Sequence, residues 1–175
     1  MMSVMERIEL PQAREVEADT LSVPLDLSEW VTVPQLRKWI VQDVEKLNWS
    51  NPELIDLLSK DPDFEPMEFL CTTTLAYATG VFSAEEIVRL CSEEIEFRPI
   101  RPKLPPLADD FLTFRKQNRG LLKWTLVQVL TRALKSQLIE GDQLDILPPG
   151  LRRYLVENAI ERLDIARHMD RPGEA

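Results

Sequence analysis

The chain has 175 residues, 44% of them apolar and 29% charged, with a net charge of −9. That fits one domain, or one domain with an appended arm, and supplies apolar material enough for a core. The scarcity of Gly, 5 against 13 Pro, argues against a sheet protein full of tight hairpins, and the overall acidity opposes nonspecific DNA binding.

The first residues, MMSVMERIELPQ, carry neither a basic start nor a long apolar run, so no secretory leader is expected. No window approaches the ~18 uninterrupted apolar residues of a membrane span. A cytoplasmic location follows as the expectation. There Cys71 and Cys91, both inside apolar helical patterns, should be free buried thiols.

Residues 1–31 alternate acids with Val, Leu and Pro and hold no helical period. They read as an irregular arm that lays Leu21, Val23, Leu25, Leu27 and Trp30 on a core. Residues 33–48 read as a helix, with Thr32 as cap, Pro34 in the first turn and Leu36, Trp39, Ile40, Val44 and Leu47 on one face. Residues 52–60 repeat the plan behind Asn51 and Pro52. Residues 66–79 form a helix from Pro66 to a stop at Gly80, with Met67, Leu70, Cys71, Leu75 and Ala78 along a stripe.

Ser83 followed by Glu86 predicts a capping box, in which the hydroxyl takes a backbone N–H and the carboxylate reaches back. The helix behind it buries Ile87, Val88, Leu90, Cys91 and Ile95. Pro99, Pro102, Pro105 and Pro106 then forbid helix over 98–108 and predict a stiff connector. Helix returns over 110–138, capped by Asp109 or Asp110 and broken near Gly120. A last amphipathic helix spans 150–168. The fold class is therefore all-α: a bundle of about six helices over residues 32–168, with the arm before it and a disordered tail over 169–175.

Charge is unevenly placed. Residues 1–97 hold 7 Lys and Arg against 20 Asp and Glu, whereas residues 98–135 hold 9 against 2. The basic stretch contains Arg98, Arg101, Lys103, Arg115, Lys116, Arg119, Lys123, Arg132 and Lys135. Clustered cations are what phosphate recognition needs, because each neutralised phosphate releases counterions. Arg115, Arg119 and Lys123 are spaced by four and would stack on one face of a continuous helix. Two alternatives stay open: the basic stretch pairs with the acidic first half of the same chain, or it meets an acidic partner protein.

The inventory for catalysis is thin. The single His is His168, near the end of the chain, and with two separated Cys it makes no standard zinc site. No Ser–His–acid or Cys–His set has a well-placed His, and no glycine cluster forms a phosphate loop. No catalytic residue, metal, cofactor or small-molecule substrate is expected.

Two stretches, PMEFLCTTTLAYATGVFSAEEIVRLCSEEIEFR and DDFLTFRKQNRGLL, lie within residues 66–122, about a third of the chain. This region resembles the N-terminal helical domain of bacterial insertion-sequence transposases of the DDE class. In that family a similar Tyr-Ala-Thr-Gly-Val-Phe-Ser turn links two helices, and a helix containing Phe-Arg, here Phe114-Arg115, follows a short loop. Glu85 and Glu86 stand where the family usually has basic residues. LIEGDQLDILP, with Asp145, only weakly echoes the family's first catalytic strand, and no later carboxylates complete a triad. The resemblance implies a noncatalytic, DNA-associated helical module. Duplex DNA would be held by Arg98, Arg101, Lys103, Arg115, Lys116, Arg119 and Lys123. The alternative is a module that has lost DNA binding and contacts itself or another protein. No membrane partner is expected.

Overall fold

A computed structural model describes residues 22–47, 65–138 and 147–170. Among these residues the regular structure is helical throughout: α1 (Val33–Glu45), α2 (Pro66–Ala78), α3 (Ala84–Glu93), α4 (Ala108–Gln117), α5 (Arg119–Gln137) and α6 (Pro149–Met169). Short 3-10 turns occupy Leu27–Glu29 and Ile95–Phe97. The all-α bundle read from the sequence is the observed architecture. The helix expected over 52–60 lies outside the described residues, as do residues 1–21 of the arm.

Helix starts follow local chemistry. Thr32 Oγ1 accepts from Gln35 N–H at 3.3 Å and Pro34 sits in the first turn of α1. Ser83 Oγ accepts from Glu86 N–H at 3.4 Å to open α3. The second half of the expected capping box is absent. The Glu86 carboxylate binds the Arg89 guanidinium instead, which holds its pKa below the usual value. A full charge one turn away is a stronger partner for a carboxylate than a neutral N–H. At α4 the reach-back does occur: Leu107 N–H donates to Asp110 Oδ2 at 2.8 Å.

The turn between α2 and α3 is set by Gly80, whose φ of +81° suits a residue without Cβ. A Cβ there would also meet the Leu25 carbonyl oxygen at 3.5 Å. The N-terminal strap, residues 22–27, therefore crosses this turn closely.

α2 is the centre of the bundle. Every residue from Phe69 to Ala78 is buried, so the expected single stripe is a helix covered on all sides. Phe69 stacks on Phe111 and Phe114 of α4, with ring centroids 4.9 and 5.6 Å apart. Three consecutive threonines lie in this dry interior. Thr72 Oγ1 donates to the Ile100 carbonyl at 2.9 Å, and Thr74 shares a 2.9 Å hydrogen bond with Thr125 of α5. Thr73 Oγ1 has no partner among the described residues.

Two further expectations are corrected. The break in the 110–138 helix falls at Asn118, not near Gly120. Asn118 takes φ −124° and ψ 34°, and its side-chain amide donates to the Phe114 carbonyl at 2.8 Å. Gly120 continues α5, since a helical glycine costs only ~1 kcal/mol against Ala. The ordered chain also passes the expected tail boundary at 169. Met169 ends α6 and Asp170 caps it, held by an ion pair to Arg115. Residues 171–175 lie outside the described residues.

Both cysteines are free and buried. Burial, aided by Glu45 and Glu68, pushes the Cys71 thiol up to about 12. Burial pushes Cys91 up to about 11 against the opposing pull of Arg101. A folded-state value above the ordinary 9.0 means the native chain keeps protons that the unfolded chain loses. This contribution to stability is complete below that pH and is lost as pH climbs from there toward 11. A disulfide-type thiol reagent near neutral pH should label neither cysteine in the native protein and both after denaturation. Rapid native labelling would contradict the buried placement.

Candidate nucleic-acid interface

The seven cations singled out in the sequence do not form one stripe. Arg98, Arg101 and Lys103 are exposed on the connector between the Ile95–Phe97 turn and α4. That connector is fastened at the first turn of α2, where Lys103 N–H donates to Glu68 Oε1 at 3.1 Å. It is fastened again at the end of α3, where Arg101 Nη1 donates to the Cys91 carbonyl at 2.9 Å. The other four cluster at the α4–α5 junction, beside the far end of α2. The Asn118 break separates Arg115 on α4 from Arg119 and Lys123 on α5, so the spacing by four does not stack them on one helix face.

Arg115 is a correction. It is 6% exposed, and its guanidinium is fully engaged. Nη1 donates to the Phe82 carbonyl at 2.5 Å, Nε donates to Asp170 Oδ2 at 2.9 Å, and Nη2 bonds the other Asp170 oxygen. The bidentate fork neutralises a buried charge and ties α4, the α2–α3 turn and the end of α6 together. A side chain so placed positions its neighbours and is not available to a polyanion.

Arg119 is different. Nη2 donates to Asp164 Oδ1 at 2.7 Å, but the two side chains are 40% and 52% exposed. An exposed pair contributes little, so a phosphate can displace the carboxylate. Lys116 and Lys123 are exposed, and neither is in an ion pair among the described residues. Asn118, the N-cap of α5, makes no side-chain hydrogen bond to the first-turn N–H groups. The start of α5 thus lies beside Lys116 and Arg119, and because Asn118 also ends α4, the opposed dipole ends of the two helices offset one another and the side-chain cations carry the charge there.

A cleft of about 570 Å³ opens here. Arg115, Lys116, Arg119 and Arg167 line it with Asp170, and Tyr77, Leu112 and Leu163 supply its apolar part. Burial pushes the Tyr77 hydroxyl up to about 12, with Arg115 pulling the other way, so it enters the cleft uncharged.

Among the described residues, two of the three carboxylates paired with the basic stretch come from the C-terminal part of the chain. Asp164 lies on α6 and Asp170 caps its end, so neither belongs to the acidic first half. Among the described residues, that half supplies one such partner, Asp43, whose oxygens accept from Arg132 at 2.7 and 3.2 Å.

A second buried guanidinium was missed altogether. Arg162 of α6 is 1% exposed and meets no carboxylate among the described residues. Instead it donates to the carbonyls of Pro24, Leu25 and Tyr77 at 2.8, 2.7 and 2.6 Å, and to Asn158 Oδ1 at 2.9 Å. Burial pushes its pKa down to about 10, against upward pulls from Glu161 and Asp26, so it stays charged at neutral pH. A signal for it exists in the sequence: Arg162 falls on the apolar stripe Leu151, Leu155, Ala159, Ala166.

Among the described residues, no three His, Cys, Asp or Glu side chains come together to hold a metal ion. No described helix is long and apolar enough to cross a membrane. No protein-family model, curated protein or solved structure matches the chain.

Proposed function

We propose that this chain is a noncatalytic helical module, of transposase-like descent, that binds duplex DNA through its phosphate backbone. The observation that carries the reading is the rim of the α4–α5 junction. There Lys116, Lys123 and the weakly held Arg119 surround the uncapped start of α5. Arg98, Arg101 and Lys103 on the connector add a second patch of exposed cations. Arg115 leaves the contact set and holds the junction in shape. Phosphate contacts of this kind position a protein on DNA without reading bases. The Tyr77–Ser83 turn followed by Phe114-Arg115 supports the descent.

The test is fluorescence anisotropy with a labelled duplex over a salt series. About five neutralised phosphates give a slope of log affinity against log salt near −4.5. Lys116→Glu with Lys123→Glu should weaken binding at least ~30-fold at low salt and flatten that slope. Absence of any salt-sensitive binding at micromolar protein would defeat the proposal.

A second reading has its own support. The α6 carboxylates already occupy Arg115 and partly mask Arg119, and the chain as a whole is acidic. A module of this kind works instead as a protein–protein contact, with itself or with a partner.

A further inference from the structure

Three of the large apolar side chains that stand exposed fall on or beside the connector: Ile95 at 66%, Leu104 at 60% and Leu107 at 69%. Single exposed leucines need no explanation, but Leu104 and Leu107 flank a rigid Pro105-Pro106 pair. The backbone around them is held at Ile100 by Thr72, at Lys103 by Glu68 and at Leu107 by Asp110. Pro102 is buried beneath. The segment Leu104–Leu107 is thus presented in a fixed shape, and little conformational entropy is lost when it docks. Residues 98–108 carry Arg98, Arg101 and Lys103 and no acid.

The complementary surface is on α6. Its outer face borders a groove of about 830 Å³. Tyr154, Ile160 and Ile165 supply apolar wall, and Glu157, Glu161 and Asp164 supply negative charge. An aromatic ring on an apolar wall suits proline and leucine, and Glu157 and Glu161, which make no ion pair among the described residues, oppose the connector's cations in sign, while Asp164 is shared with Arg119. The connector is bonded to α2 and α3, so it cannot swing to the α6 of its own chain.

We infer that the Leu104–Leu107 connector of one copy docks in the α6 groove of a second copy, giving a head-to-tail self-association. This rests on the protein-contact reading and names its partner. Because the two surfaces differ, the contact is heterologous: each docked copy leaves one connector and one groove open, and growth continues unless a ring closes.

The test uses the full chain and two exposed-surface variants, each checked for native helicity and melting. Leu104→Asp with Leu107→Asp damages the connector only. Glu157→Lys with Glu161→Lys damages the groove only. By sedimentation velocity the unaltered chain should assemble as concentration rises, and less so at high salt. Each variant alone should associate about tenfold more weakly or more. An equimolar mixture should form a pair that grows no further, since one connector and one groove remain intact between them. A mixture as monomeric as its components would overturn the inference, as would assembly that persists in both variants. An unaltered chain that stays monomeric also overturns it, while leaving the wider contact reading to a different partner.

Discussion

Replacing Arg162 with Ala should cost roughly 4 kcal/mol of folding stability and lower the melting temperature by roughly 10 °C. The side chain is 1% exposed and donates four hydrogen bonds, three of them to main-chain carbonyls. Removing it leaves the buried Tyr77 carbonyl without a donor at the cost of its desolvation, releases the part-buried Pro24 and Leu25 carbonyls from the helix, and opens a cavity the size of the guanidinium stem. Lys at this position supplies donors but not the planar fork that spans Pro24, Leu25 and Tyr77 at once, so about half the loss should remain. Denaturant unfolding of the two variants beside the parent measures this directly. A loss below about 1 kcal/mol for the Ala variant would mean that water replaces the guanidinium, and that the interior here is wetter than its burial indicates.

Asp170→Ala is the second large effect, at roughly 2–3 kcal/mol, because it leaves the buried Arg115 guanidinium without its counter-charge, beside Lys116, Arg119 and Arg167. The Arg115 side chain is 4% exposed and that of Asp170 22%, so water offsets part of the penalty and the figure falls below that of a fully enclosed pair. The informative variant is the double one. Arg115→Met together with Asp170→Ala removes both charges and keeps apolar volume, so it should lie within about 1 kcal/mol of the parent, the residue being the lost bond to the Phe82 carbonyl. The same double variant should bind duplex DNA as the parent does, since Arg115 touches no solvent-facing phosphate site. If it folds but loses DNA binding, Arg115 is a contact residue after all and the assignment of Lys116, Arg119 and Lys123 needs revision.

What the sequence made legible were the features with local causes. Pro66, Thr32 with Pro34, and Ser83 marked helix starts, Gly80 marked a stop, and four prolines marked the connector. The structure has each of these within a residue or two of where periodicity placed it. What stayed hidden depended on contacts between distant segments. Gly120 drew attention as the visible helix breaker, yet Asn118 breaks the helix because its amide finds the Phe114 carbonyl. Arg115 counted as a surface cation because nothing local announces Asp170, 55 residues away. Its position one turn past Phe111, on the buried side of α4, was the available clue. Arg162 was hidden the same way: its partners Pro24 and Leu25 lie more than a hundred residues upstream. Helical spacing tells which side of a helix faces inward, but a charged residue on that side is easily assigned to the outside when its acceptors are main-chain carbonyls.

The threonine triplet at the centre of the bundle has a consequence for how that helix is seated. A cylinder that is greasy all the way round has no preferred angle about its own axis, and sliding it by a residue changes its burial little. Thr72 and Thr74 point in directions two steps of the helix apart, and each meets a different wall, the Ile100 carbonyl on one and Thr125 on the other. Two such pegs fix both the rotation and the height of the rod, so valine at these sites should leave a protein that still collapses but whose central helix is free to turn.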